Sequence, residues 1–269
     1  MCVPSPRIFG VVNLTRDSFS DGGRFLSPES AIAHALALAE DGADVVDLGP
    51  ASSHPDAESV SPDEEIRRLA PVVARLKRER VPVSIDSFQP PTQRWALDAG
   101  VEYLNDVRGF GDEALYPALA GGENRLIVMH AIGAAGRAHR ETTEPAGVYR
   151  RALDFLGQRA RALTRAGVSA DRIVVDPGMG FFLGENASSS TYVLKRLPDL
   201  KRRLGFEVLV SVSRKSFLGT LTGRPPEERG AATLAAELFA ARQGADHIRT
   251  HDVRALKDAL KVGEALESE

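Results

Sequence analysis

The chain has 269 residues, 43% hydrophobic and 26% charged, with a formal net charge of −3 at pH 7. A chain this long buries most of its unfolded surface without disulfides or structural metal, which places it among single globular domains. The acidic balance argues against a nucleic-acid partner, since phosphate backbones are held by clustered Lys and Arg.

A single cysteine, Cys2, excludes an internal disulfide framework and fits a reducing compartment. Residues 1–6 lack the charged-then-apolar order of a secretion signal, and no apolar run nears the ~20 residues of a membrane span. The expectation is a cytoplasmic protein with no membrane contact.

Short apolar runs then alternate with longer amphipathic stretches. Strands are predicted at Ile8–Asn13, Asp44–Gly49, Val83–Asp86, Tyr103–Val107, Leu126–His130, Ile173–Asp176, Val208–Val212 and Asp246–Thr250. They are rich in Val, Ile and Leu with little alternation, as strands covered on both faces should be. Ser27-Pro28-Glu29 and Ser61-Pro62-Asp63-Glu64 read as helix starts, each with Pro in the first turn. Later helices are predicted at Pro91–Asp98, Ala114–Ala120, Val148–Ala166, Ser189–Leu204, Arg229–Arg242 and Val253–Leu266. Lys195-Arg196 and Lys201-Arg202-Arg203 fall on one of these and read as a solvated face. Ala231–Ala241 suits a helix packed on the sheet or on a partner. Gly42, Gly100, Gly167 and Gly244 each precede a strand and supply left-handed helix ends.

Eight β-then-α units give a parallel sheet with right-handed crossovers. The length is close to the roughly 250 residues of a (β/α)8 TIM barrel. An open doubly wound sheet is the competing fold, but the closed barrel uses every segment. The expectation is one (β/α)8 domain over residues 1–269.

Barrel active sites are built at the carboxyl ends of the strands. The polar residues there are Asn13, Asp47, Asp86, Asn105 with Asp106, His130, Asp176, Ser213-Arg214-Lys215 and Arg249-Thr250-His251. Any one of them alone is as well explained by capping; all eight strands ending this way is not. Asp86, Asn105 and Asp176 supply acceptors for a heterocycle edge rich in N–H donors. Arg249 and His251 lie beside Asn13 where strand eight meets strand one, a place for a phosphate or diphosphate. Lys215 reads as a fixed donor and positive charge. Gly178-Met179-Gly180 does not complete a dinucleotide loop, and no phosphate loop, HExxH pair or Gly-x-Ser-x-Gly elbow occurs. A Mg2+ carried by a diphosphate needs only one or two protein oxygens, for which Asn13 and Asp17 are candidates.

These motifs resemble the dihydropteroate synthases, from about Ile8 to Leu260. The likeness is carried by the run Gly10-Val11-Val12-Asn13-Leu14-Thr15-Arg16-Asp17-Ser18-Phe19-Ser20-Asp21-Gly22-Gly23. It continues through Ser84-Ile85-Asp86-Ser87, Asn105-Asp106-Val107, Val128-Met129-His130, Asp176-Pro177-Gly178-Met179-Gly180, Ser211-Val212-Ser213-Arg214-Lys215-Ser216 and Arg249-Thr250-His251. The resemblance implies condensation of a 6-hydroxymethyl-7,8-dihydropterin diphosphate with p-aminobenzoate, releasing diphosphate. It implies a pterin held by Asp86, Asn105, Met129, Asp176 and Lys215, and a diphosphate held by Asn13, Arg249 and His251 with Mg2+ on Asn13. Asp86, Asp176, Lys215, Arg249 and His251 would carry the chemistry, and the family is commonly a homodimer.

Three places depart from the family pattern: Arg16 stands where Pro is usual, Gly49–Asp56 replaces a Gly-Glu-Ser-Thr-Arg-Pro run, and Phe181-Phe182-Leu183-Gly184 follows the Asp176 motif. The last two border the p-aminobenzoate region, to which Ser53, His54, Phe181, Phe182, Ser213, Arg214 and Ser216 are assigned. The pattern is similar to the sulfonamide-insensitive branch, in which an added Phe would exclude the drug. Two alternatives share the fold: a methyltetrahydrofolate-dependent methyltransferase, which has no use for a diphosphate site, and a non-catalytic pterin-binding module.

Overall fold

The computed structural model describes residues 5–15, 27–51, 59–133 and 144–267. In them the strands close into a parallel barrel in chain order. They are β1 (Arg7–Asn13), β2 (Val45–Gly49), β3 (Val83–Asp86), β4 (Tyr103–Asp106), β5 (Arg125–Met129), β6 (Ile173–Asp176), β7 (Glu207–Val210) and β8 (His247–Thr250). β8 pairs with β1, with Phe9 opposite Arg249, so the closed barrel is the fold and the open sheet is not. The strand ends lie within two residues of those expected from the apolar runs.

The helices are α1 (Pro28–Glu40), α2 (Pro62–Arg78), α3 (Pro90–Asp98), α4 (Tyr116–Gly121), α5 (Pro145–Arg165), α6 (Ala187–Lys195), α7 (Leu197–Leu204), α8 (Ser216–Thr222), α9 (Gly230–Arg242) and α10 (Val253–Glu267). Ser27 and Ser61 cap α1 and α2, their hydroxyls accepting from Ser30 N and Glu64 N. Gly42, Gly100, Gly167 and Gly244 have φ of +99°, +65°, +102° and +84°, the left-handed ends expected of them.

Two segments differ from expectation. The helix predicted over Ser189–Leu204 is two helices broken after Lys195, because Pro198 has no N–H to continue the ladder and instead occupies the first turn of α7. The short helix α8 has too few turns to show a periodicity and was not expected.

Each strand sorts its residues by parity. Ile8, Val46, Ile85, Leu104, Val128, Val175, Val210 and Ile248 face outward into the helix-covered core. Phe9, Val45, Tyr103, Ile127, Val174 and Leu209 fill the barrel interior as a separate apolar layer. At the amino ends of the strands, Arg7 and Arg125 donate to the Tyr103 hydroxyl at 3.1 and 3.3 Å. Glu207 accepts from Arg125 at 2.7 Å and lies 2.6 Å from His247 Nε2. Apolar layer and polar plug close that end, so a ligand enters from the carboxyl ends.

Candidate active site

Parity also builds the site. The inward position two residues beyond Val45 is Asp47, beyond Tyr103 Asn105, beyond Ile127 Met129, beyond Val174 Asp176 and beyond His247 Arg249. Asp86 stands opposite Asn105 in register, and Met129 opposite Asp176. Sequence-predicted Asp86, Asn105, Met129, Asp176 and Arg249 therefore share one layer above the apolar layer of the barrel interior.

Charge there is dense and confined. The Arg249 side chain is 8% exposed; its Nε lies 3.0 Å from Asp47 Oδ2 and its Nη1 3.9 Å from Asp176 Oδ2. Asn105 Nδ2 donates to Asp86 Oδ1 at 2.6 Å, and the Gly178 N–H donates to Asp176 Oδ1 at 2.8 Å. Burial pushes the Asp86 carboxyl up to about 7 against the pull of Arg249, with Asp47 adding to the rise. Burial raises Asp176 in the same way. Burial lowers the Lys215 ammonium, against the pull of Asp176. For Arg249 the burial cost is outweighed by Asp47, Asp86 and Asp176, so the guanidinium stays charged.

The layer also holds buried polar atoms with no hydrogen-bond partner among the described residues: Asp47 Oδ1, Asn105 Oδ1, Asp176 Oδ2 and both Nε and Nη2 of Arg249. An unmet buried polar group costs about 1–3 kcal/mol. Acceptors and donors left unmet together like this mark a place built to meet a ligand.

Beside them stands an apolar wall. Val107, Met129 and Phe182 are buried together, with Phe88, Ala131 and Phe181 packed against them. Lys215 Nζ sits 4.9 Å from the Phe182 ring centroid, joining wall to charge. Phe182 belongs to the wall, 5% exposed, whereas Phe181 is half-buried at its edge.

Two turns close one side of the mouth. Gly178 and Gly180 have φ of +75° and +65°. A Cβ on Gly178 would stand 2.4 Å from the His130 carbonyl oxygen, and one on Gly180 would stand 2.9 Å from Ser216 Oγ. Glycine lets the β6–α6 turn press on the end of β5 at position 178 and on the β7–α8 turn at position 180, which brings Phe181 and Phe182 beside Ser216. Arg214 has a φ of +58°, and its N–H donates to Thr233 Oγ1 at 3.0 Å. Arg229 Nη1 donates to the carbonyls of Arg214 and Lys215 at 2.8 and 3.3 Å. Ser213 is buried; its Oγ accepts from the His251 N–H at 3.2 Å and lies 2.9 Å from His251 Nδ1.

Asn13 is half-buried at the end of β1, opposite Gly49. A Cβ on Gly49 would stand 3.4 Å from Asn13 Oδ1, so the missing side chain leaves that amide oxygen uncrowded. Among the described residues no group of three His, Cys, Asp or Glu is placed to hold a metal. An amide oxygen suits a hard cation such as Mg2+ that brings its other oxygens with it.

Three polar strand-end residues are not part of the inward-facing layer. Asp106 points outward and accepts from Gln93 Nε2, Arg108 N and Phe110 N at 2.9, 2.6 and 3.0 Å. His130 Nδ1 is 3.1 Å from the Pro177 carbonyl, its ring edge-on to Phe155, and burial lowers it to about 4. Thr250 Oγ1 accepts from Asp252 N at 3.2 Å. For these, turn capping is the explanation. Asp47 is the reverse case: its place at a strand end was legible, its contact with Arg249 was not. Ser53, His54, Arg16 and Asp17 lie outside the described residues.

A model of the pterin binding enzyme family matches residues 9–251. The chain is 55% identical to the dihydropteroate synthase type-2 of Escherichia coli, over 96% of this chain and 95% of that protein. The solved dihydropteroate synthase of Xanthomonas albilineans with 4-aminobenzoic acid superposes with a TM-score of 0.89 at 40% identity, covering 99% of this chain and 95% of that one. The same enzyme in complex with 7,8-dihydropteroate superposes with a TM-score of 0.85 at 38% identity, covering 100% and 96%.

Proposed function

The chain belongs to the pterin-binding enzymes and, among them, to the dihydropteroate synthases; on that footing we propose how its barrel mouth divides the work of the reaction. The enzyme joins 6-hydroxymethyl-7,8-dihydropterin diphosphate to p-aminobenzoate and releases diphosphate. Neither a methyl transfer nor passive pterin storage accounts for near-full-length likeness to these synthases.

The observation that carries the assignment of roles is the set of unpaired buried atoms beside an apolar wall. Asp176 Oδ2 and Asn105 Oδ1 accept N–H groups of the pterin, with Asp86 alongside, while the flat ring lies against Met129 and is flanked by Lys215. Arg249, His251 and Asn13 hold the diphosphate. Asn13 would hold a Mg2+ ion brought in with the diphosphate, and the ion would supply charge neutralisation for the leaving group. The methylene C–O bond breaks first and its electron pair leaves with the diphosphate. The Asp86 and Asp176 carboxylates stabilise the positive charge left on the ring. The arylamine nitrogen then forms the C–N bond and gives up a proton. Such preorganised charge is worth about 10²–10³ in rate per group. A homodimer in the cytoplasm is part of this reading.

The p-aminobenzoate subsite lies at Ser213, Arg214, Ser216, Phe181 and Phe182, with Ser53 and His54 assigned to the same rim by sequence. Phe182 is wall and Phe181 is edge, so Phe181 is the ring that excludes a sulfonamide projecting beyond the substrate carboxylate, while sparing p-aminobenzoate.

One assay tests both parts: diphosphate release from the pterin diphosphate, with and without p-aminobenzoate and then with a sulfonamide. Release dependent on p-aminobenzoate and only weakly inhibited by drug is expected. Phe181→Gly should restore inhibition by at least ~tenfold. No release would end the functional reading; undiminished resistance in Phe181→Gly would end the role of Phe181.

A further inference from the structure

The contact between Asp47 and Arg249 has no part so far in holding either substrate. Asp47 is 2% exposed and comes from β2; Arg249 comes from β8. The two side chains meet across β1, which lies between those strands in the sheet. Asp47 stands opposite Val11 in register, two residues before Asn13. The ion pair thus underlies the end of the barrel assigned to diphosphate. Its Nε–Oδ2 distance is 3.0 Å, while the next carboxylate, Asp176, is 3.9 Å from Nη1. Neither Nε nor Nη2 makes a hydrogen bond among the described residues, so Asp47 holds Arg249 by charge and not by an aligned N–H.

We infer that Asp47 is a positioning residue: its charge draws the Nε side of Arg249 toward β2, so that the far edge of the fork faces the diphosphate and Asp176 keeps an acceptor for the pterin. A guanidinium is a rigid planar fork, and its affinity for an anion depends on which edge is presented. With Asp47 neutralised, the nearest counter-charge is Asp176. Arg249 then turns toward it, which misaligns the fork for diphosphate and occupies the oxygen meant for the pterin edge. A carboxylate beside an anion site would ordinarily weaken anion binding by repulsion. The positioning role predicts the opposite sign on removal, and the two accounts separate cleanly.

This inference rests on the proposed use of Arg249, and the test keeps the two apart. Asp47→Asn preserves side-chain shape, and Asp47→Ala serves as a second variant; circular dichroism and thermal melting confirm that each is folded. KM for the pterin diphosphate, KM for p-aminobenzoate and inhibition by inorganic diphosphate with Mg2+ are measured on the full chain. The expected result is about a tenfold rise in KM for the pterin diphosphate and in the diphosphate inhibition constant, the worth of one misaligned charged contact, with p-aminobenzoate KM unchanged. Diphosphate that binds equally well or more tightly in both variants overturns the inference, as does an equal loss for p-aminobenzoate. A wild-type chain that releases no diphosphate fails the functional reading instead. Calorimetric titration of Mg2+-diphosphate into wild type and Asp47→Asn then still decides the role of Asp47.

Discussion

Individual buried ionisable groups make this protein sensitive to pH outside its site. Glu237 of α9 is 1% exposed, and its Oε1 has no partner among the described residues. Burial raises its carboxyl from 4.5 to about 8, with the Thr250 hydroxyl opposing and Asp252 adding. A raised acid binds its proton more tightly folded than unfolded. The unfolded chain therefore loses the proton first, and stability falls as pH rises from about 4.5 to about 8. Glu237→Gln, neutral throughout, should melt close to wild type near pH ~4.5 and clearly above it near pH ~8.5. A gap that does not widen between two melting curves at those pH values would contradict this. Asp86 responds similarly in the ligand-free enzyme, its carboxyl standing near 7. None of these shifts can be read from a one-letter code, because each depends on what surrounds the group.

The β7–α8 turn shows how an element holds a catalytic charge in place. Arg214 sits at a φ of +58°, a conformation costing a β-carbon-bearing residue about 1–3 kcal/mol. Thr233 and Arg229 of the following segment hold it there. The Arg229 guanidinium also lies on Gly219, where a Cβ would stand 2.1 Å from Nη2. Arg229→Ala frees the carbonyls of Arg214 and Lys215 and should lower kcat/KM by roughly tenfold, mostly through Lys215 and the pterin KM. Gly219→Ala, which displaces the same guanidinium, should reproduce that loss. If steady-state kinetics show either change without effect, the turn is held by other means. The motif Ser213-Arg214-Lys215-Ser216 was visible in the chain; the clamp from Arg229, fourteen residues past Lys215, was not, since it needs α9 folded back against the turn.

Taken as one body, the barrel gathers opposed charge and several unmet polar atoms at one end, and ligands should stabilise it in proportion. A pterin at about one hundred times its Kd adds ~2.7 kcal/mol. For a chain of this size that is a rise of roughly 5–10 °C in melting temperature. Inorganic diphosphate should raise the melting temperature only when Mg2+ is present, and EDTA should remove that increment while leaving the pterin increment intact. Scanning fluorimetry distinguishes the two, and an EDTA-insensitive diphosphate effect would remove the metal from the scheme.

The order of strands and helices, the left-handed glycine ends and the gathering of polar residues at one end of the barrel were all legible in the chain. Each follows from local periodicity, from backbone freedom at glycine, or from the rule that parallel strands share a direction. What the folded barrel alone decided is which of those polar residues look inward. Asp106, His130 and Thr250 stand at strand ends as Asp47, Asp176 and Arg249 do, yet side-chain parity sends the first three outward to cap turns. Ring closure also brings β8 within reach of β2 across β1, so Asp47 and Arg249 meet although 202 positions separate them in the chain. Pairing over that distance is set by the curvature of a closed sheet, a property of all eight strands together and of no segment read alone.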